Sequence, residues 1–158
     1  MLLGIDLGER RIGVAAGDTA SGAVLPLLTL RRGTLPTDAA ALDRLCQEHG
    51  ADAVVVGLPL HLDGTESEQS QRTRAWAAAV GQRLTVPLTL RDERLSSQSA
   101  ESRMGRPPRG RSGGPPSASA RRAWRARIDR EAAAAILQRE LDARLAERSG
   151  DSRGAVAP

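Results

Sequence analysis

Four consecutive apolar residues, Ala53-Val54-Val55-Val56, lie between a glycine at position 50 and the turn-forming run Gly57-Leu58-Pro59. A strand that is apolar at every position has to be covered on both faces, the environment of a buried parallel strand. A chain containing such a strand is steered towards layers, with helices packed on the two sides of a sheet.

The flanking segments fit that plan. Leu2–Leu7 reads as a strand, Arg11–Ala16 as a second after a tight turn at Gly8-Glu9-Arg10, and Val24–Leu30 as a third. Links this short make the three an antiparallel meander. A helix is predicted over Thr37–His49, with Thr37 as its N-cap, Leu42 and Leu45 facing inward and Gly50 as its stop. After the apolar strand, the spacing of Trp76, Val80 and Leu84 places one helix face within a helix from about Thr65 to Leu84. Leu88–Leu90 is a fifth strand running into Arg91-Asp92-Glu93-Arg94, followed by a short helix at about Ser96–Met104. The last helix is predicted from Ile128 to Glu147, with Ile128, Ala132, Ile136 and Leu145 inward and Leu141 near the edge of that stripe. Three strands followed by helix–strand–helix–strand–helix give an α/β fold with a mixed sheet.

The chain has 158 residues, enough for one domain, expected over residues 1–148 with a disordered tail at 149–158. Only Trp76 and Trp124 are aromatic, so the core has to be aliphatic. No apolar stretch approaches the roughly 18 residues of a membrane span. The start of the chain has no basic region and meets Asp6 early, so it is not expected to be a signal peptide. A lone cysteine, Cys46, excludes an internal disulfide framework, fits a cytoplasmic protein, and reads as a small buried hydrophobe.

All 23 basic residues are arginine, set against 19 acids. Eight of these arginines (Arg103, Arg106, Arg109, Arg111, Arg121, Arg122, Arg125 and Arg127) fall between Ser102 and Ile128, where there is no acid. Eight of the twelve residues in Gly105–Pro116 are Gly or Pro, so residues 105–126 are expected to form a flexible cationic loop. One reading is a solvated insert; the other is an arm whose guanidinium groups grip phosphates. Trp124 within this run either stacks on a base or is half-buried at the start of a helix.

The chemistry has to reside in carboxylates. In a strand over Leu2–Leu7, Leu3, Ile5 and Leu7 face one way and Gly4, Asp6 and Gly8 the other. An ionised Asp6 in a central strand requires a partner or a cation, and its glycine neighbours leave space above it, although a strand-end Asp also caps turns. Asp92 and Glu93 stand at the carboxyl end of the fifth strand, where α/β folds gather ligands, but flanking Arg91 and Arg94 suit a surface ion-pair cluster equally. Asp129 opens the last helix, where the helix dipole alone favours an acid, and the small residues Ala132 and Ala133 allow its face to approach the sheet. Glu131 is rotated away from that face. A cluster of oxygen ligands without His or Cys suits Mg²⁺ or Mn²⁺, as one ion or a two-metal site for phosphodiester cleavage. The absence of lysine excludes a Walker-type NTPase, and neither His49 nor His61 sits in a hydrolase motif.

Four ordered segments, Gly4-Ile5-Asp6-Leu7-Gly8-Glu9-Arg10-Arg11-Ile12-Gly13-Val14-Ala15, Val56-Gly57-Leu58-Pro59-Leu60 with Asp63-Gly64-Thr65, Asp92-Glu93-Arg94-Leu95-Ser96, and Ile128-Asp129 with Ala132-Ala133 and Ile136-Leu137, closely resemble the YqgF/RuvX family. These are the pre-16S rRNA nucleases, also called Holliday-junction-resolvase-like proteins. The resemblance covers roughly Leu2 to Leu145. It implies a ribonuclease H-like fold, with a five-stranded mixed sheet and helices on both faces, and a cytoplasmic bacterial nuclease trimming the 5′ end of pre-16S rRNA. It implies catalytic roles for Asp6, Glu93 and Asp129, with Asp6, Asp92, Glu93 and Asp129 as candidate metal ligands. Related resolvases place an acid after the fourth strand, where this chain has Gly57-Leu58-Pro59.

Arg10, Arg11, Arg94, Arg103, Arg106, Arg109, Arg111, Arg121, Arg122 and Arg125 are the candidate nucleic-acid contacts. Three functions follow as expectations: a metal-dependent endonuclease on structured precursor rRNA or a pre-ribosomal particle; a resolvase of four-way DNA junctions; and a non-catalytic RNA-binding ribosome-assembly factor. The expected state is a monomer or weak homodimer, whereas a resolvase demands a symmetric dimer.

Overall fold

The computed structural model describes residues 1–93, 105, 108–110 and 113–154. Its five strands are β1 (Leu2–Leu7), β2 (Arg11–Gly17), β3 (Val24–Arg31), β4 (Ala53–Leu58) and β5 (Leu88–Asp92), in the spatial order β3-β2-β1-β4-β5. β1 and β2 pair antiparallel, as do β2 and β3, while β4 runs parallel to both β1 and β5. The sheet is mixed as expected. Val54, Val55 and Val56 are fully buried, as the apolar run required.

Alternation along the strands divides the interior in two. Leu3, Ile5, Leu7, Ile12, Val14, Val54 and Val56 face helices α1 (Leu35–His49) and α2 (Glu68–Gly81), against Leu42, Leu45, Trp76 and Val80. Leu2, Ala15 and Val55 face the long helix α3 (Ala118–Gly154) and its Ala133, Ile136, Leu137 and Leu141. Asp38 is buried on the α1 side, where it accepts hydrogen bonds from the Trp76 indole at 3.1 Å and the Gly33 amide at 2.8 Å. Those two bonds satisfy an acid that would otherwise be costly to bury. Cys46 is buried in the same cluster.

Several boundaries differ from the sequence reading. Helix α1 starts two residues before Thr37, because Thr34 is the cap, its hydroxyl accepting from the Thr37 amide, and Pro36 sits in the first turn. Gly50 does end it, in the left-handed conformation at φ 59°. Helix α2 begins after Ser67, which forms a capping box with Ser70, and it ends at Gly81, leaving Leu84 beyond it. Ser70 also donates to the Pro59 carbonyl, tying the loop after β4 to this helix.

The largest difference is in α3, which begins at Ala118 rather than Ile128 and runs to Gly154. Residues 118–126 are therefore helical rather than loop, and the helix passes position 149, where a disordered tail was expected. Ser117 caps the start, its hydroxyl accepting from the Ala120 amide at 3.1 Å. Leu141 is fully buried, whereas Leu145 is 42% exposed, so the inward stripe ends one turn earlier than predicted. Trp124 lies half-buried on this helix. The short helix expected at Ser96–Met104 lies outside the described residues. Among the described residues, no helix is long and apolar enough to cross a membrane.

Candidate active site

Asp6 is the penultimate residue of β1, opposite Gly13 of β2, on the face covered by α3. Its neighbours on that face are Gly4 and Gly8. A β-carbon on Gly4 would press on the Ala133 carbonyl and on Leu137, so α3 can lie this close only because the strand is bare there.

Gly13 does the same for Asp129. A β-carbon on Gly13 would overlap the Asp129 carbonyl, so the glycine seats the helix backbone directly on β2. Asp129 then reaches the sheet beside the end of β1, one turn before the buried Ala132 and Ala133, as the small-residue face predicted. Its carboxylate accepts from Arg11 Nε in an ion pair. Arg11 shares its face with Gly13 and Ala15, two and four residues on, and so points towards α3.

Glu93 follows β5, its amide donating to the Leu58 carbonyl at 3.0 Å. It is 7% exposed, whereas the adjacent Asp92 is exposed. Leu88 and Leu90 pack on the α1–α2 side, which sends Arg91 and Glu93 to the α3 side. A β-carbon on Gly57 would collide with the Glu93 carboxylate and with Ile136. Gly57 thus opens the space that Glu93 fills.

Three acids from distant parts of the sequence therefore bear on one another. Burial and the charges of Glu93 and Asp129 push the Asp6 carboxyl up to about 8, with Arg11 pulling the other way. Burial and the two neighbouring charges thus disfavour an ionised Asp6. As the side chains lie, no three His, Cys, Asp or Glu converge closely enough to hold an ion among the described residues, and Asp129 is engaged by Arg11. In charge and donor type the set fits a hard divalent cation: all oxygen, with repulsion that a bound cation relieves.

The predicted phosphate contacts fall in different places. Arg10 is exposed in the β1–β2 turn beside the acids, and Arg11 is committed to Asp129. Arg121, Arg122 and Arg125 are exposed on the first three turns of α3, and Arg109 is exposed in the segment before it. Arg94, Arg103, Arg106 and Arg111 lie outside the described residues.

Sequence reasoning missed Glu140. It is buried on α3, in ion pairs with Arg91 of β5 and Arg144. Burial pushes its carboxyl up, but the two arginines outweigh this and hold it below the usual range. Glu140 stands seven residues after the buried Ala133, two helical turns along the inward stripe, and that spacing was the available signal. With Arg91, Glu93, Ile136 and Arg139 it lines a hollow of about 210 Å³ next to the acids.

Comparisons with known proteins identify the family. A family model described as "RuvX: Holliday junction resolvase" matches residues 1–143. A protein of Anaeromyxobacter sp. (strain Fw109-5) carrying the name "Putative pre-16S rRNA nuclease" is 40% identical over 142 residues, spanning 90% of this chain and 96% of that one. A Cereibacter sphaeroides protein of the same name is 44% identical over 100 residues, a match covering 63% of this chain and 62% of that relative. Among solved structures, Thermus thermophilus RuvC in complex with a Holliday junction substrate superposes with a TM-score of 0.52 at 14% identity, over 91% of this chain and 94% of RuvC. At that identity the likeness shows the ribonuclease H-like fold alone.

Proposed function

The chain belongs to the RuvX family, whose members are phosphodiester-cleaving hydrolases, and on that premise we propose that it is a metal-dependent endonuclease processing the 5′ end of pre-16S rRNA in the bacterial cytoplasm. One observation carries the reading. On the α3 face at one end of the sheet, burial and then the charges of Glu93 and Asp129 push the Asp6 carboxyl up to about 8.

Asp6, Glu93 and Asp129 would hold the ion. A divalent ion there supplies water activation and stabilisation of the leaving oxygen. The chain's own groups do the rest. Asp6, whose carboxyl is held up to about 8 by burial and its acidic neighbours, would supply an oxygen to the ion. Glu93, walled in by Gly57 and Ile136, keeps its carboxylate aimed at the site. Arg11 holds Asp129 in place, and Arg10, in the adjoining turn, takes up backbone phosphate.

The relatives' name favours rRNA, while the family description favours a four-way DNA junction, so the test uses both. Wild type and Asp6→Asn are compared on a 5′-extended small-subunit rRNA fragment and on a DNA junction, with Mg²⁺, Mn²⁺ or EDTA. Metal-dependent cutting of the RNA that is lost in Asp6→Asn is expected. Cutting of the junction alone would make the protein a resolvase. Binding without cutting of either would make it an assembly factor.

A further inference from the structure

The acids occupy only one side of this end of the sheet. Across the strands the charge reverses: Glu93 beyond β5, Asp6 on β1, then Arg11 on β2 joined to Asp129, and then Arg31 at the end of β3. Arg31 is the direct cross-strand partner of Arg11, so two like charges face each other in neighbouring strands. Such a pair is destabilising unless something negative lies between or beside it. Asp129 answers one of the two charges only.

Arg32 follows, half-buried, its guanidinium donating to the Gly8 carbonyl at 3.2 Å and its amide to the Arg10 carbonyl at 2.9 Å. These bonds fasten the end of β3 to the β1–β2 turn and enclose a cleft of about 380 Å³ lined by Glu9, Arg10, Arg31, Arg32 and Gly33. Three arginines and a single acid line it. Among the described residues, Arg44, Arg72, Arg74, Arg91 and Arg144 each have an acidic partner; Arg10, Arg31 and Arg32 have none, like Arg121, Arg122 and Arg125 on α3, but they differ from those in lining one cleft. A concave site lined by arginines without acidic partners, one of them held by the backbone, suits an anion, and the guanidinium fork selects phosphate oxygens.

We propose that Arg31 and Arg32, with Arg10, form a phosphate subsite that holds the nucleic-acid backbone a few nucleotides from the bond being cut. β3 lies two strand spacings, about 10 Å, from Asp6, and a strand of nucleic acid advances about 3.4 Å per nucleotide. The inference rests on the nuclease reading for its substrate class. It adds the line of the substrate: across the sheet end, from the acids towards the β3 edge.

The test is binding of the full chain to the rRNA fragment in EDTA, where no cutting occurs, as a function of salt. Each phosphate contact to a duplex contributes about 0.9 to the slope of log affinity on log salt. Arg31→Gln should lower that slope by about one, and Arg31→Gln/Arg32→Gln by about two, with at least a tenfold loss of affinity for the double variant. Arg31 is exposed and makes no bond that the fold needs, and thermal unfolding checks the double variant. Arg44→Gln, which breaks a surface pair on α1, should leave the slope unchanged.

A slope unchanged in both variants, with wild type binding normally, would overturn the subsite. Inorganic phosphate at constant ionic strength should narrow the difference between wild type and variant, because it competes for the same guanidinium groups. Wild type that binds no nucleic acid would overturn subsite and nuclease together. Wild type that binds with the predicted slopes but does not cut when Mg²⁺ is restored would leave the subsite standing and remove the nuclease.

Discussion

The two faces of the sheet are packed on opposite terms. Towards α1 and α2 the strands present Leu, Ile and Val, and the helices answer with Leu42, Leu45, Trp76 and Val80. Towards α3 they present Gly4, Gly13, Ala15 and Gly57, and the helix answers with Ala132, Ala133 and Ile136. The first face carries the larger buried apolar cluster. The second gives up area for closeness and thereby brings three acids within reach of one another. Stability and chemistry are separated across a single layer of backbone, so changes on one face should move a different observable from changes on the other.

The largest expected effect is Asp6→Asn on the α3 face. Cleavage should fall by at least about a hundredfold, as for loss of a metal ligand. The metal-free protein should at the same time become more stable at alkaline pH. In the fold Asp6 keeps its proton up to about pH 8, against 3.8 for an ordinary aspartate. The native chain thus binds more protons than the unfolded one between those values. Its contribution to stability is full below pH 4 and is lost as pH rises through 8. The stability of the metal-free wild type should fall off between pH 5 and 9 more steeply than that of Asp6→Asn, by on the order of 4 kcal/mol.

Two packing changes sharpen the contrast. Leu42→Ala, on the apolar face, should cost about 2–5 kcal/mol in denaturant unfolding and leave activity per folded molecule unchanged. Gly13→Val, on the α3 face, should cost about 1–3 kcal/mol and also depress cleavage, because it lifts Asp129 off the sheet. Loss of activity in the folded Leu42→Ala protein would break the division between the faces. Smallest of all, Leu145→Ser should change stability by less than about 0.5 kcal/mol, since that side chain is 42% exposed.

Most of the strand layout was legible because strands advertise themselves by local pattern. Continuous apolarity identified β4, alternation identified β1 and put Asp6 on the opposite face from Ile5, and glycines marked the turns. Helix α1 showed its stop at Gly50, but its start was misplaced because Thr34 and Thr37 are both good caps and only the fold chooses between them.

The first nine residues of α3 were hidden by their charge. Read as a phosphate-contacting loop, 118–126 nevertheless consists largely of Ala and Arg, strong helix formers, behind a Ser117 cap.

At the site, Asp6 and Asp129 could be oriented from their neighbours. The choice between Asp92 and Glu93 stood undecided, although the side taken by Leu88 and Leu90 settles which of them faces α3. The role of Gly57 was beyond reach, because it depends on a carboxylate 36 positions away that meets it only in the folded sheet. Arg31 and Arg32 were equally hidden, since their significance comes from pairing with Arg11 and the β1–β2 turn.

The central claim is that the acids facing α3, and not their exposed neighbour, hold the divalent ion. Isothermal titration of Mn²⁺ into wild type, Glu93→Gln and Asp92→Asn tests it without reference to any substrate. Binding by wild type and Asp92→Asn, with loss of at least tenfold in affinity for Glu93→Gln, is the predicted result. Equal binding by all three, or loss confined to Asp92→Asn, would contradict the account.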